Sequence, residues 1–210
     1  MKKPLERRFY QCEVRAVPTD SGSVITGRPI VYNSRTNLGY FDEVIESGAL
    51  DGADLTDVRF LVNHNTDMIP LARSRRNNGN STMTLTTVME GLDMEALIDT
   101  ENNATAKELK SAIERGDISG MSFMFSIDDE EWENLESDHP IRHIRKIGSV
   151  VEVSAVTFPA YDATSINARG KEALESARKA VETARAEARS LESDEDLELA
   201  KAKYEFISKF

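Results

Sequence analysis

Three apolar segments of this chain each carry one polar side chain of a type that takes part in proton transfer or nucleophilic attack. His64 follows the apolar run RFLV, Ser122 lies within GMSFMF, and Glu152 lies within VVEVSAV. A histidine can act as a base, a serine as a nucleophile, and a glutamate as the acid that orients the base. Burying a polar side chain is unfavourable unless it is hydrogen-bonded. Mutual hydrogen bonding in one site would explain all three positions.

Each of these residues also has an ordinary interpretation. His64 can be a polar residue at the end of a strand, and Ser122 a serine tolerated within a strand. Ser119 and Ser126 are alternative nucleophiles close by. The segment is not a GxSxG nucleophile elbow, because Met124 occupies the last position and no strand-turn-helix pattern follows.

Glu152 and the remaining histidines also allow more than one role. An isolated buried carboxylate is unstable in its charged form, so Glu152 needs a partner. Arg142 and Arg145 offer a salt bridge as the alternative to catalysis. His139 and His143 lie beside an acidic stretch and among basic residues, which favours solvated positions. The chain has no CxxC or HxxxH grouping, so we expect neither a metal nor another cofactor.

The composition limits the classes of partner. The chain has 210 residues, a formal net charge of −11 and 40% hydrophobic residues, which fits one folded core with an appendage. The acidic balance argues against nucleic-acid binding, because phosphates need a basic face. Cys12 is the single cysteine, so no internal disulfide forms, and we interpret it as a small buried residue. No export signal or membrane-spanning run is visible, which predicts a soluble protein with no membrane partner.

The hydrophobic periodicity predicts a β-rich α+β domain over residues 1–167. Predicted strands cover 9–17, 23–32, 57–64, 81–89, 92–98, 118–127, 139–147 and 148–158. The strands 81–89 and 92–98 form a predicted hairpin, and alternation puts Met121, Phe123 and Phe125 on one face of their strand. The stretch 41–50 reads as a short helix that ends at Gly48, and the acidic stretch 128–138 as a loop. A further helix begins at a capping box of Thr105 and Glu108 and ends at Gly116, and its apolar face consists of Ala106, Leu109 and Ile113.

Residues 168–210 have a different pattern and predict a helical tail. An apolar seam at spacings of three and four is typical of a coiled coil and consists of Leu174, Ala177, Val181, Ala184, Ala188 and Leu191. After Ser193 a second helix resumes the stripe with Leu197, Ala200, Tyr204 and Ile207. The seam is half alanine and needs a partner, which can be a second copy of the chain, the preceding domain or a helical scaffold segment.

Together the segments around His64, Ser122 and Glu152 resemble the tailed-phage prohead proteases, a family of serine peptidases that mature capsids. The resemblance spans about residues 8–167 and includes FDEVIESGAL, the His64 strand, GMSFMF and EVSAVTFPAY. The last segment is the most specific for the family. One departure is Met124, which stands where the family frequently has glycine, and it affects the expected shape of the substrate groove.

The resemblance implies a fold, a site and a set of partners. It implies an assemblin-like closed β-barrel surrounded by helices, with His64, Ser122 and Glu152 as the catalytic residues. In herpesvirus assemblins a second histidine takes the third position, which leaves His143 as the alternative to Glu152. The implied substrates are the major capsid protein, with its scaffolding segment, and the protease itself. The implied location is the assembling procapsid in the host cytoplasm.

A second class of function stays open from the sequence. A non-catalytic scaffold or assembly factor would use the domain as a docking body and the tail for partner helices or for homo-oligomerisation. The acidic surface and the tail fit this class as well as the protease. Cleavage of co-expressed capsid protein distinguishes the two.

Overall fold

The computed structural model describes residues 4–75, 78–157 and 174–191, with residues 10 and 11 described in their backbone alone. The strands are β1 (Leu5–Gln11), β2 (Arg15–Thr19), β3 (Gly22–Val31), β4 (Thr36–Asn37), β5 (Asp42–Ile45), β6 (Arg59–Val62), β7 (Ala72–Arg73), β8 (Met83–Val88), β9 (Gly91–Ile98), β10 (Gly120–Glu133) and β11 (Ile141–Ala155). The described helices are α1 (Ala104–Glu114) and α2 (174–191).

The described strands form two sheets and not a closed barrel. The larger sheet has seven strands in the order β1-β10-β11-β5-β4, with β6 also beside β11 and β7 beside β6. The smaller sheet has four strands in the order β2-β3-β9-β8. A barrel requires a continuous ladder of hydrogen bonds around the structure. No such ladder joins the two sheets within the described residues, so the predicted closed barrel surrounded by helices is wrong, although the β-rich character is confirmed.

The strand β11 organises the larger sheet. Its antiparallel partner is β10, and its other edge pairs in parallel with two strands in turn. Residues 141–144 pair with β5, and residues 152–155 pair with β6. Because β6 ends at Val62, this pairing brings the chain that follows β6 to the carboxyl end of β11.

The core lies between the two sheets and follows from the alternation of apolar residues. The predicted hairpin at 81–98 is confirmed as β8 and β9, and their alternating residues turn inward. From β10, Met121, Phe123 and Phe125 enter the core and are fully buried, as the alternation predicts. The intervening residues Ser122 and Met124 lie on the other face of β10.

Several predicted elements differ from the structure, and the two strands predicted at 139–147 and 148–158 are one strand, β11. The stretch 41–50 contains strand β5 and a turn, not a helix, because residues 42–45 pair with β11. The acidic stretch 128–138 is only partly a loop, because β10 continues to Glu133 and pairs with β11 along its whole length. The strand predicted at 9–17 is broken into β1 and β2, which belong to different sheets.

The helix α1 is confirmed with a different cap. Asn103 is the N-cap, and its Oδ1 accepts a hydrogen bond from the backbone N–H of Ala106 at 3.1 Å. The capping box predicted at Thr105 is therefore wrong, because the N-cap lies two residues earlier, at Asn103. The predicted inner face is buried and consists of Ala106, Leu109 and Ile113. Gly116 has a φ of +78°, which fits the predicted helix end.

The helix α2 packs on the domain that precedes it. Ala177 and Val181 form a small apolar cluster with Leu38 and Phe41. Arg185 donates hydrogen bonds from Nε and Nη2 to two backbone carbonyls of the β10–β11 loop, at 2.9 and 2.6 Å. In the described part of the chain, no helix is long and apolar enough to cross a bilayer. The second predicted tail helix lies outside the described residues, and the division at residue 167 stays a prediction.

A buried group of ion pairs attaches β1 to the rest of the larger sheet. Arg8 on β1 donates from Nη2 to Glu43 on β5 at 2.6 Å. Arg142 on β11 pairs with Glu6 on β1 at 3.0 Å and donates from Nε to Glu130 on β10 at 2.9 Å. Buried charges are unfavourable unless they are paired, and here four strands supply both signs.

Candidate active site

His64 lies just beyond the end of β6 and contacts Glu152 on the neighbouring strand. Its Nδ1 is 2.5 Å from Oε1 of Glu152. The His64 side chain is 16% exposed and the Glu152 side chain 2%, so the ring stands between solvent and a buried carboxylate. Asn63 and His64 both have left-handed backbones, with φ of 53° and 56°. Two such residues in succession turn the chain sharply back over β11, and backbone strain of this kind is frequent at functional sites.

A β-bulge in β11 determines where Glu152 points. Met124 pairs with Glu152 while the next residue of β10, Phe125, pairs with Val150, so Val151 is left unpaired. Val150 therefore packs in the core, and Glu152 lies on the opposite face of the sheet. Simple alternation predicts that the two side chains share a face, which is wrong because of the extra residue.

Ser122 lies on the same face of the sheet as the His64–Glu152 pair. It is the register partner of Ser154 on β11, and directly opposed residues point to the same side. Its hydroxyl donates to the backbone carbonyl of Arg8 on β1 at 2.6 Å, and the residue is 3% exposed. Among the described residues, its hydrogen bond goes to β1 and not to His64.

Ser154 joins His64 and Glu152, and it is not among the site residues predicted from the sequence. Its hydroxyl donates to Oε2 of Glu152 at 2.5 Å and accepts the backbone N–H of His64 at 3.2 Å. The side chain is completely buried. One signal in the sequence points to it, since it follows Glu152 by two residues on a strand and therefore shares its face.

The alternative partners of His64 and Glu152 are elsewhere. His143 pairs with Glu46 at 3.1 Å and lies nine residues before Glu152 on the same strand. At about 3.3 Å per residue, that spacing is about 30 Å. Arg145 pairs with Glu131, and Arg142 belongs to the ion-pair group under β1, so neither neutralises Glu152.

The alternative nucleophiles are also outside this cluster. The Ser126 and Ser149 hydroxyls share a hydrogen bond of 2.9 Å, and Ser119 is exposed ahead of β10. Burial raises the pKa of the Cys12 thiol, which disfavours the thiolate that attack would require. No group of three or more histidine, cysteine or acidic residues in the described ranges is arranged to hold a metal ion.

An open cleft of about 570 Å³ adjoins His64. Residues 62–68 line it together with Arg7 and Thr105. The imidazole is therefore accessible from outside, whereas Ser122 is covered. Its volume lies within the usual range of ligand-binding clefts.

The buried carboxylate, the histidine at a cleft and the serine on the adjacent strand are the residue types of a serine protease. A family model described as caudovirus prohead serine protease matches residues 10–179. The match spans most of the chain, so the protein belongs to the caudovirus prohead serine proteases, and it is a capsid maturation protease.

The chain is similar to a solved structure, that of the capsid assembly protease of bacteriophage T4. The identity is 14%, and the match covers 76% of this chain and 100% of that chain with a TM-score of 0.44. No curated protein matches the chain.

Proposed function

We propose that this protein is an endopeptidase that cleaves the scaffolding segment and the major capsid protein inside the assembling procapsid, and also cleaves itself. We assign His64 as the base, Ser122 as the nucleophile and Glu152 as the orienting acid. The observation that supports this assignment best is the 2.5 Å contact between His64 Nδ1 and Glu152 Oε1, on the sheet face that also carries Ser122. Family membership supports the reaction class.

The chemistry follows from the state of the imidazole. When the neutral imidazole carries its proton on Nδ1 and donates that N–H as a hydrogen bond to Glu152, its Nε2 is unprotonated. Nε2 can then accept the Ser122 proton. Ser122 Oγ then attacks the peptide carbonyl, and the imidazolium returns the proton to the leaving amine. Water hydrolyses the resulting acyl-enzyme by the same route. Glu152 stabilises the imidazolium in both steps.

Attack requires a rotation of the nucleophile. The Ser122 hydroxyl now bonds to the Arg8 carbonyl, so it must leave β1 and turn towards His64. A turn about χ1 moves it between staggered positions without a change in the backbone. Backbone amides must hold the oxyanion, and the segment after Pro159, which the resemblance offers as a source, lies outside the described residues.

The test is cleavage of the co-expressed capsid protein, with both products mapped by mass. We expect the wild type and Ser126→Ala to process capsid protein, and Ser122→Ala to remain folded without processing it. Ser126→Ala is the matched control because it removes a serine hydroxyl from the same strand, away from His64. Full processing by folded Ser122→Ala contradicts the assignment. No processing by the folded wild type favours an assembly factor.

A further inference from the structure

We propose that Ser154 is a positioning residue of the active site, which holds the His64 backbone and the Glu152 carboxylate in one fixed arrangement. The proposal rests on the proposed function for its catalytic consequence. Its structural part stands on the contacts of Ser154 alone.

The Ser154 hydroxyl completes a closed ring of hydrogen bonds. Glu152 uses Oε1 for the imidazole and Oε2 for the Ser154 hydroxyl, so both carboxylate oxygens are held. The same hydroxyl accepts the His64 backbone N–H. The ring therefore ties the side chain of His64 and its backbone to the same two residues of β11, which fixes the imidazole in position and in orientation.

The two groups that Ser154 contacts both need support. Glu152 is almost completely buried and has no arginine or lysine among its described hydrogen-bond partners. The buried carboxylate is therefore stabilised by the few hydrogen bonds that it accepts. His64 has a left-handed backbone, which persists only when the surrounding structure holds it. A donor to the carboxylate and an acceptor for the strained backbone are supplied here by one hydroxyl.

Strand register also places Ser154 beside Ser122. It is directly opposite Ser122 on β10, and residue Leu61 of β6 is its partner on the other edge. A shift of Ser154 would therefore alter the distance between the base and the nucleophile. This arrangement distinguishes Ser154 from Ser126, whose hydroxyl also bonds within the β10–β11 pair but whose hydrogen-bond partner among the described residues is Ser149.

The experiment compares Ser154→Ala with Ser126→Ala in the full-length protein by peptide-cleavage kinetics. A hydrogen bond to a charged group corresponds to about a tenfold to hundredfold effect on rate. We expect Ser154→Ala to lower kcat by about that factor and to leave KM near its wild-type value, while Ser126→Ala keeps the wild-type kcat. An equal kcat in the two folded variants overturns the proposal.

A second readout does not depend on peptidase activity. We expect the proton between His64 Nδ1 and Glu152 to give a far-downfield proton resonance, which Glu152→Gln should remove and so identify. We expect Ser154→Ala to shift or broaden this resonance and Ser126→Ala to leave it unchanged. An unchanged resonance in Ser154→Ala overturns the positioning role. A wild type that shows the resonance but cleaves nothing contradicts the proposed function instead.

Discussion

Glu152 reaches the site because one residue of β11, Val151, is left without a partner on β10. Without that bulge, the carboxylate would point into the apolar core beside Val150 and could not meet His64. A one-residue shift of strand register moves every side chain of a strand to the opposite face. The bulge has the same effect on the residues of β11 that follow it. An insertion or deletion at Val151 is expected to be more harmful than most substitutions there.

The role of the acid can be tested by Glu152→Gln. The amide keeps the size of the side chain but cannot stabilise the imidazolium or enforce the tautomer. We expect kcat to fall by about 10⁴-fold, against about 10⁶-fold for His64→Ala. His143→Ala is the control and should leave peptide cleavage near the wild-type rate. His143 pairs with Glu46 and lies nine residues before Glu152 on β11. An active Glu152→Gln together with an inactive His143→Ala would make His143 the third member.

For individual residues, the sequence indicates which side chains belong to the candidate site better than it indicates which atoms they contact. His64 and Glu152 stand out as polar residues in apolar strands, and the structure brings them together. The bond from Ser122 to the Arg8 carbonyl and the ring through Ser154 depend on strand register, which no local pattern encodes. The first needs β1 beside β10, and the second needs β6 beside β11.

The strand β1 covers the serine and is itself held by charges. Burial alone would raise the pKa of Glu6, but the guanidinium groups of Arg8 and Arg142 more than offset burial and lower that pKa below its ordinary value of 4.5. A carboxyl with a lower pKa in the folded state stabilises the fold above its unfolded pKa. That contribution disappears as the pH falls through the folded-state pKa.

We therefore expect the free energy of unfolding to decrease below about pH 4.5, with Glu6 contributing. At pH 7, Glu6→Gln should lower it by about 1–3 kcal/mol, because hydrogen bonds to charged partners are lost. Urea unfolding at pH 7 and at pH 3 measures both effects. The control is Glu13→Gln, in an exposed pair with Arg15, which should change little. If Glu6→Gln and the wild type lose the same stability between the two pH values, Glu6 does not contribute.

Whole elements were predicted best where periodicity is local. The β8–β9 hairpin and helix α1 follow from alternation and from helical spacing within a few residues. The stretch 41–50 was predicted to be a helix, yet it forms β5 because a distant strand, β11, pairs with it. The closed barrel was wrong for a related reason, since a barrel depends on which edges meet and not on where strands lie in the sequence.

The helix α2 packs on the domain that precedes it and covers part of its surface. Leu38 and Phe41 are almost completely buried, and α2 contributes Ala177 and Val181 to their cluster. This contact provides one of the partners that the half-alanine seam was predicted to need. Leu191, which is 67% exposed, lies outside that cluster, so one end of the seam is open to a further partner.

Truncation after residue 167 tests what the tail does. We expect the shortened protein to unfold cooperatively, with stability lower by about 2–4 kcal/mol because Leu38 and Phe41 lose their cover. We expect it to cleave a presented peptide near the wild-type rate but to enter procapsids less. The measurements are urea unfolding, peptide kinetics and the protease content of purified proheads.

The matched variant is Val181→Asp, which keeps the whole tail but disrupts its apolar contact. A similar loss of stability with normal incorporation would separate packing from recruitment. Normal incorporation of the truncated protein contradicts the recruitment role. Loss of cooperative unfolding would show that the tail is part of the core.

The pairing of β11 with β6 has a consequence for the time at which the enzyme becomes active. His64 and Glu152 are 88 residues apart, and Ser122 and its partner Arg8 are 114 apart, so the site joins segments from nearly the whole domain. Long-range and parallel pairings form slowly, because the entropy of closing a large loop is lost before native contacts form and stabilise the pairing. A nascent or half-folded chain is therefore expected to lack the assembled His64–Glu152 pair. In a refolding experiment, we expect peptidase activity to return after most of the strand signal, in the slowest phase that leads to the native state.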